Sequence, residues 1–153
     1  MESLISKDYI FVKKTYENSD EVFEDLGKLL INQGYAKPTY IDALKTREEK
    51  FPTGLLTNGL GVAIPHTEAS QVIKSRIVVA KLTKPVHFNE MGKVATPIDV
   101  DMIIMLALND GKKHLEALQK IISIVGNHEL LKALESADTC DAIYDVFDEV
   151  INS

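Results

Sequence analysis

Four residues of this chain have types and surroundings suited to chemistry: His66, His114, Arg47 and Thr53. His66 stands in Leu60-Gly61-Val62-Ala63-Ile64-Pro65-His66-Thr67, a short apolar run cut off by a proline. Val62 to Ile64 read as a strand, and Pro65, which has no N–H for an interior ladder, ends it or marks a sheet edge. The imidazole that follows is presented at a strand end, where it could react. An ordinary loop histidine would fit the same residues.

His114 is the informative residue of the C-terminal half. At about 3.6 residues per turn it lies in line with Leu118, Ile121 and Val125, which puts it on a buried stripe and not on a solvated face. It also occupies the first turn of that helix, just past Asp110-Gly111. A helix N-terminus disfavours imidazolium and favours a bound anion. A neutral histidine there can donate a hydrogen bond to a phosphate-like group, although a backbone carbonyl at the core edge would satisfy it equally well. Both His66 and His114 follow expected strands, and in α/β folds sites gather at the carboxyl ends of strands.

Arg47 precedes the loop Phe51-Pro52-Thr53-Gly54 that leads back to the His66 strand. Its guanidinium could clamp phosphate oxygens with paired donors, or be one solvated charge among Glu48, Glu49 and Lys50. Thr53 could add a hydroxyl donor. His87, read in a loop before Phe88, and His128, at a helix start, look structural. Without a cysteine pair, a His-x-x-x-His or a close histidine–carboxylate set, no metal site is expected. Nor does a Gly-x-Ser-x-Gly element mark a serine hydrolase.

The elements that must position these residues follow from periodicity and punctuation. Tyr9 to Val12 reads as a strand. Asn18 and Ser19 are N-cap types ahead of Val22, Phe23, Leu26, Leu29 and Leu30 at helical spacing, with Gly34 at the C-terminal cap. Pro38-Thr39 opens a second helix through Tyr40, Ala43 and Leu44, ending in a charged turn at Thr46 to Lys50. Ile77 to Leu82 is a short strand, Lys84 to Pro97 mostly connection, and Val100 to Leu108 a strand apolar enough to be covered on both faces. Three helical segments close the chain: Lys112 to Val125 with Leu115, Leu118, Ile121, Ile122 and Val125 on one side, Asn127 through Leu134, and one from Thr139 with Ile143, Val146, Phe147 and Val150. Strands interleaved with helices give an α/β class, a central mixed sheet flanked by helices.

With 153 residues, 45% apolar and 26% charged, the chain fits one soluble domain, taken here as 1–153. A formal net charge of −6 argues against non-specific nucleic-acid binding and against an anionic membrane surface, and suits a partner protein with a basic patch. The single cysteine, Cys140, excludes an internal disulfide and fits a reducing cytoplasm; it reads as small-residue packing. Neither a secretory signal nor a membrane span is expected, so the expected location is cytoplasmic.

The combination Arg47-Glu48-Glu49, Phe51-Pro52-Thr53-Gly54, Gly61-Val62-Ala63-Ile64-Pro65-His66 and His114-Leu115 with Leu118 resembles enzyme IIA of the bacterial phosphoenolpyruvate-dependent sugar phosphotransferase system, of the fructose/mannitol type, or type 2. The resemblance covers essentially the whole chain. Glu49-Lys50-Phe51-Pro52-Thr53-Gly54 and Val86-His87-Phe88 are more similar to the galactitol-specific branch. The resemblance implies a type-2 IIA fold and a phosphotransferase that works as a phosphocarrier. HPr would donate a phosphoryl group to Nε2 of His66, and a cysteine of the cognate IIB would accept it, with IIC involved indirectly in sugar or polyol uptake. It further implies that His114 and Arg47 steady the phosphoryl oxygens, with Thr53 as a further donor and no cofactor. Neutral imidazole can attack phosphorus, and phosphoryl transfer mostly needs alignment and charge stabilisation. A regulatory protein of the nitrogen-related IIA kind, or an inert binding module, stands as the alternative.

Overall fold

The computed structural model describes residues 4–93 and 95–151. Five strands form one sheet in the order β1-β4-β5-β3-β2: β1 Ile10–Lys14, β2 Gly54–Leu55, β3 Val62–Ala63, β4 Arg76–Asn89 and β5 Pro97–Ala107. The sheet is mixed, with β1 parallel to β4 and β3 parallel to β5, while the β4–β5 and β2–β3 pairs are antiparallel. Helices α1 (Ser19–Asn32) and α2 (Tyr40–Lys50) cover one face. The other is covered by α3 (Gly111–Val125), α4 (His128–Ser136) and α5 (Cys140–Ile151).

The two faces of the sheet take alternate residues of the same strands. On β5, Met102, Ile104 and Leu106 pack with Ile121, Leu131, Leu134, Ile143 and Phe147. Ile103, Met105 and Ala107 pack with Val22, Phe23, Leu26, Tyr40 and Leu44. That alternation is the period of two of a β-strand, and a fully buried Val, Leu or Ile contributes about 1.5–3 kcal/mol. The continuous apolar run expected for Val100 to Leu108 is thus a strand covered on both sides.

Several boundaries differ from the sequence expectation, each for a physical reason. The stretch read as connection from Lys84 to Pro97 is strand at both ends: Val86 pairs with Val100, and Phe88 with Ile98. Val86 and Phe88 are buried while His87 is exposed, a half-buried alternation broken by Pro85. The ladder to β5 shifts register between Lys81 and Val86, so the proline falls where no inner rung requires its N–H. Residues Thr46 to Lys50 are the last turn of α2 and not a charged turn after it. The first strand starts one residue later than expected, because Lys7–Tyr9 forms a short 3-10 helix. On α3 the buried residues are Ala117, Ile121 and Ile124; Leu115 and Ile122, expected on the packed side, are 57% and 47% exposed.

Capping follows the sequence closely. Asn18 Oδ1 accepts from the Glu21 N–H at 3.0 Å, Asn127 Oδ1 from Glu129 and Leu130, and Thr139 Oγ1 from Ala142. Gly34 takes φ +83° just past α1, the left-handed cap that favours glycine. Cys140 opens α5, and its thiol donates to the Ile10 carbonyl at 3.0 Å. Among the described residues no helix is long and apolar enough to cross a membrane.

Candidate functional site

The site lies at the end of β5, where three separate segments are tied to Leu106. The Leu106 N–H donates to the Pro65 carbonyl at 3.0 Å, and His66 extends the parallel β3–β5 pairing as a bridge to Leu106. The Tyr40 hydroxyl, buried in the first turn of α2, donates to the Leu106 carbonyl at 3.0 Å. A few residues on, β5 turns through Asp110, whose carboxylate accepts from Lys112 N–H at 2.8 Å, into α3 and His114. One residue of the central strand therefore sets the position of the His66 segment, of the helix that bears Arg47, and of the turn before His114.

Upstream, the His66 strand is held by close approach. A Cβ on Gly61 would stand 2.0 Å from the Asp99 carbonyl oxygen, so only glycine lets β3 lie against β5 there. The Gly61 N–H donates to Asp101 Oδ2 and the Leu60 N–H to Glu135 Oε1, at 3.2 and 2.7 Å. The glycine content before His66 is thus a packing requirement.

His66 is half-buried, with Nδ1 2.7 Å from the Ile64 carbonyl oxygen. A carbonyl oxygen only accepts, so Nδ1 carries the proton and Nε2 keeps its lone pair. The His114 ring lies 4.6 Å away, centroid to centroid, tilted by 55°. Burial pulls the His66 pKa down; the Ile64 hydrogen bond opposes this, and the Arg47 charge adds to the lowering. Burial likewise lowers His114, with help from His66 and Arg47, to about 4. Both rings are neutral at pH 7, and one of them holds a free nucleophilic nitrogen.

Arg47 lies over the Phe51 ring at 4.6 Å. Its Nε is buried without a hydrogen-bond partner among the described residues, and its charge reaches both imidazoles. A guanidinium with an unspent buried donor beside a neutral nucleophile suits an incoming anion.

Thr53 is placed differently from the expected open donor. It is 1% exposed, and its hydroxyl donates to Glu48 Oε1 at 2.8 Å while its N–H donates to Glu48 Oε2 at 2.7 Å. The hydroxyl proton expected for a phosphoryl oxygen is already given to a carboxylate. Glu48, expected only as part of the charged turn Thr46 to Lys50, is half-buried. Burial raises its pKa to about 6 against the opposing Thr53 bonds. The signal was in the spacing: Tyr40 and Leu44 are buried, and Glu48 continues that row at i+4.

The remaining histidines lie elsewhere. His87 is on β4, not in a loop, 3.0 Å from Asp99, and His128 is the exposed first residue of α4. Among the described residues no group of three or more His, Cys, Asp or Glu could hold a metal ion.

Residues 3–150 match the family model described as phosphoenolpyruvate-dependent sugar phosphotransferase system, EIIA 2. The mannitol-specific phosphotransferase enzyme IIA component of Staphylococcus aureus is 32% identical over 152 residues, covering 97% of this chain and 98% of that protein. Multiphosphoryl transfer protein of Escherichia coli is 31% identical over 145 residues, and this chain spans only 16% of its length. Two solved structures show the same fold. Enzyme IIAMTL of Escherichia coli, in complex with phosphorylated enzyme IIBMTL, has a TM-score of 0.76 at 20% identity, covering 95% of this chain and 99% of that one. Nitrogen regulatory protein IIA-Ntr of Neisseria meningitidis has a TM-score of 0.77 at 22% identity, covering 94% and 95%. The chain belongs to the type-2 IIA family of the phosphoenolpyruvate-dependent sugar phosphotransferase system.

Proposed function

We propose that, as a member of this family, the chain is a phosphocarrier whose acceptor is Nε2 of His66. The supporting observation is the Nδ1 bond to the Ile64 carbonyl at 2.7 Å, which leaves Nε2 unprotonated beside a second neutral imidazole and a cation with an unspent donor. The lone pair on Nε2 attacks the phosphorus of phospho-HPr, the bond from phosphorus to the donor nitrogen breaks, and the donor imidazole leaves with that electron pair. In the second step a thiolate of the cognate IIB attacks the same phosphorus, and the P–N bond to His66 breaks. Arg47 offsets charge on the transferring oxygens throughout, and His114 donates one hydrogen bond without adding a full positive charge.

The rim of the site suits protein partners. Phe51 and Leu115, neighbours of Thr53 and His114 in sequence, are 58% and 57% exposed and offer apolar area that a docked partner would cover. The cargo of the wider system is a sugar or polyol. The galactitol lean rests on Glu49 to Gly54 and Val86-His87-Phe88, whereas the full-length relative is named for mannitol. We favour a polyol carrier comprising residues 1–153, with IIC reached only through IIB. The fold shared with a nitrogen regulatory IIA supports a second reading, in which the phosphohistidine controls binding to a regulated partner.

The deciding experiment incubates the protein with phosphoenolpyruvate, enzyme I and HPr and locates the acid-labile phosphate. Phosphate on His66 that passes on to a IIB cysteine is the expected result. Label on His114 with His66 bare, or no label, would sink the mechanism, and label that no IIB accepts would favour the regulator.

A further inference from the structure

A carboxylate with no part in the transfer just described is joined to the nucleophile by an unbroken run of hydrogen bonds. Glu48 takes both donors of Thr53, the N–H at 2.7 Å and the hydroxyl at 2.8 Å. The Thr53 carbonyl accepts from the Ile64 N–H at 3.2 Å. The Ile64 carbonyl in turn accepts from His66 Nδ1 at 2.7 Å. The middle link continues the short β2–β3 ladder, whose pairs are Leu55 with Val62 and Gly54 with Ala63. It is therefore the outermost rung of a very small ladder, the one least supported by neighbours and nearest the imidazole.

We propose that Glu48 is a positioning residue for His66: its two-pronged grip on Thr53 fixes that outer rung, and the rung fixes the Ile64 carbonyl that selects the Nδ1–H tautomer. The inference rests on the reading of His66 as acceptor. Its physical content lies in the tautomer. A neutral imidazole without a partner for Nδ1 distributes its proton between both nitrogens, and every molecule protonated on Nε2 lacks the lone pair that must attack. A carbonyl held at hydrogen-bond distance removes that loss before a donor protein arrives. Ionised acceptors make shorter and stronger bonds than neutral ones, which suits a carboxylate at the far end of the relay, where two buried donors of one residue must be satisfied together. The location of Glu48 supports this use, since it stays half-buried at a site where burial opposes its charge.

The test compares wild type with Glu48→Ala and Glu48→Gln in the unphosphorylated full chain. The proton position on each histidine ring is read from long-range 1H–15N NMR correlations, and phosphoryl acceptance from phospho-HPr is measured alongside. In wild type, His66 should be almost wholly the Nδ1–H form. Glu48→Ala should give a mixture of both forms at His66, leave the ring of exposed His128 as it was, and slow acceptance roughly ten- to a hundredfold, the scale of a small misplacement at a reacting centre. Glu48→Gln, whose amide can accept from the Thr53 N–H and donate to its hydroxyl oxygen, should restore the wild-type tautomer and a rate within a few-fold. A folded Glu48→Ala with an unchanged tautomer overturns the proposal, whether or not its rate falls. Should Glu48→Ala fail to fold, Thr53→Val carries the test: it removes only the hydroxyl prong, and it must shift the His66 tautomer part-way or the relay is wrong. Failure of wild type to take phosphate would defeat the acceptor reading instead, while the tautomer comparison would still judge Glu48.

Discussion

The β4–β5 hairpin has histidines at both ends, and the two ends treat them in opposite ways. Near the hairpin turn, His87 faces Asp99 across a rung of the ladder, with its Nε2 3.0 Å from the carboxylate and both side chains largely exposed. At the other end, beside Leu106, His66 and His114 lie 4.6 Å apart and half-buried, under the influence of Arg47. The first environment offers open water and a carboxylate. Desolvation and a nearby cation make the second hostile to imidazolium. Glu48, beside Arg47 on the same helix, spends both oxygens on Thr53. A reactive imidazole in this chain is therefore one kept neutral, and the hairpin supplies its own control.

The hardest test of the contrast removes one histidine at a time. His66→Ala should abolish phosphoryl acceptance from phospho-HPr, whereas His87→Ala should leave it within twofold; label retained in the first variant would erase the distinction between the ends. Next in size is the cation. Arg47→Ala should slow acceptance on the order of a hundredfold, as for loss of one preorganised charge-stabilising donor, and Arg47→Lys should recover only part of it because a point charge lacks the paired fork. His114→Ala should slow acceptance about five- to tenfold, the worth of one neutral hydrogen bond of about 1 kcal/mol. Single-turnover transfer assays would rank the three.

The pH response separates the ends more gently. The folded pKa of His114 is about 4, against 6.5 for a free ring, and that of His66 is also lowered. The unfolded chain therefore binds these protons first, and stability should fall as pH drops from about 6.5 towards 4. Glu48 runs the other way: its folded pKa of about 6 lies above the ordinary 4.5, so protonating it between those values favours the folded state. Thermal melts from pH 7 to pH 4 should show that His114→Ala flattens the acid loss and Glu48→Gln steepens it. Acceptance itself should persist below pH 6.5, where a free imidazole would already be charging. The smallest effect belongs to the exposed pair. Asp99→Asn should change stability by less than about 1 kcal/mol, and added salt should shrink the difference further; a larger, salt-insensitive loss would mean the exposed end is built as tightly as the site.

The fold was legible where a local signal and the tertiary outcome agree. The helices came with their own punctuation, Asn18, Gly34, Asn127 and Thr139, and the apolar run of β5 could only be a strand covered twice. Legibility failed where a signal was ambiguous without its partner. Val86-His87-Phe88 alternates over too few residues, beside a proline, to announce a strand until Ile98 and Val100 stand across from it. Leu115 and Ile122 fit a helical stripe as well as Ala117 and Ile124 do, and only the direction from which the sheet approaches α3 decides which pair is buried.

For the site, the local sequence determined a great deal: a histidine delivered at a strand end by Pro65, a second in the first turn of a helix, and an arginine near the close of another. Those depend on φ restriction, side-chain periodicity and capping, which act over a few residues. What only the tertiary structure decided is the meeting at Leu106, where the Pro65 carbonyl, the Tyr40 hydroxyl and the strand before His114 converge from distant parts of the chain. It also decided that Thr53 gives its hydroxyl to Glu48, and that His66 gives the proton on Nδ1 to the Ile64 carbonyl. Hydrogen-bond partners, near or far in sequence, are chosen by how packing folds the chain between them, and spacing offers candidates without fixing which donor reaches which acceptor.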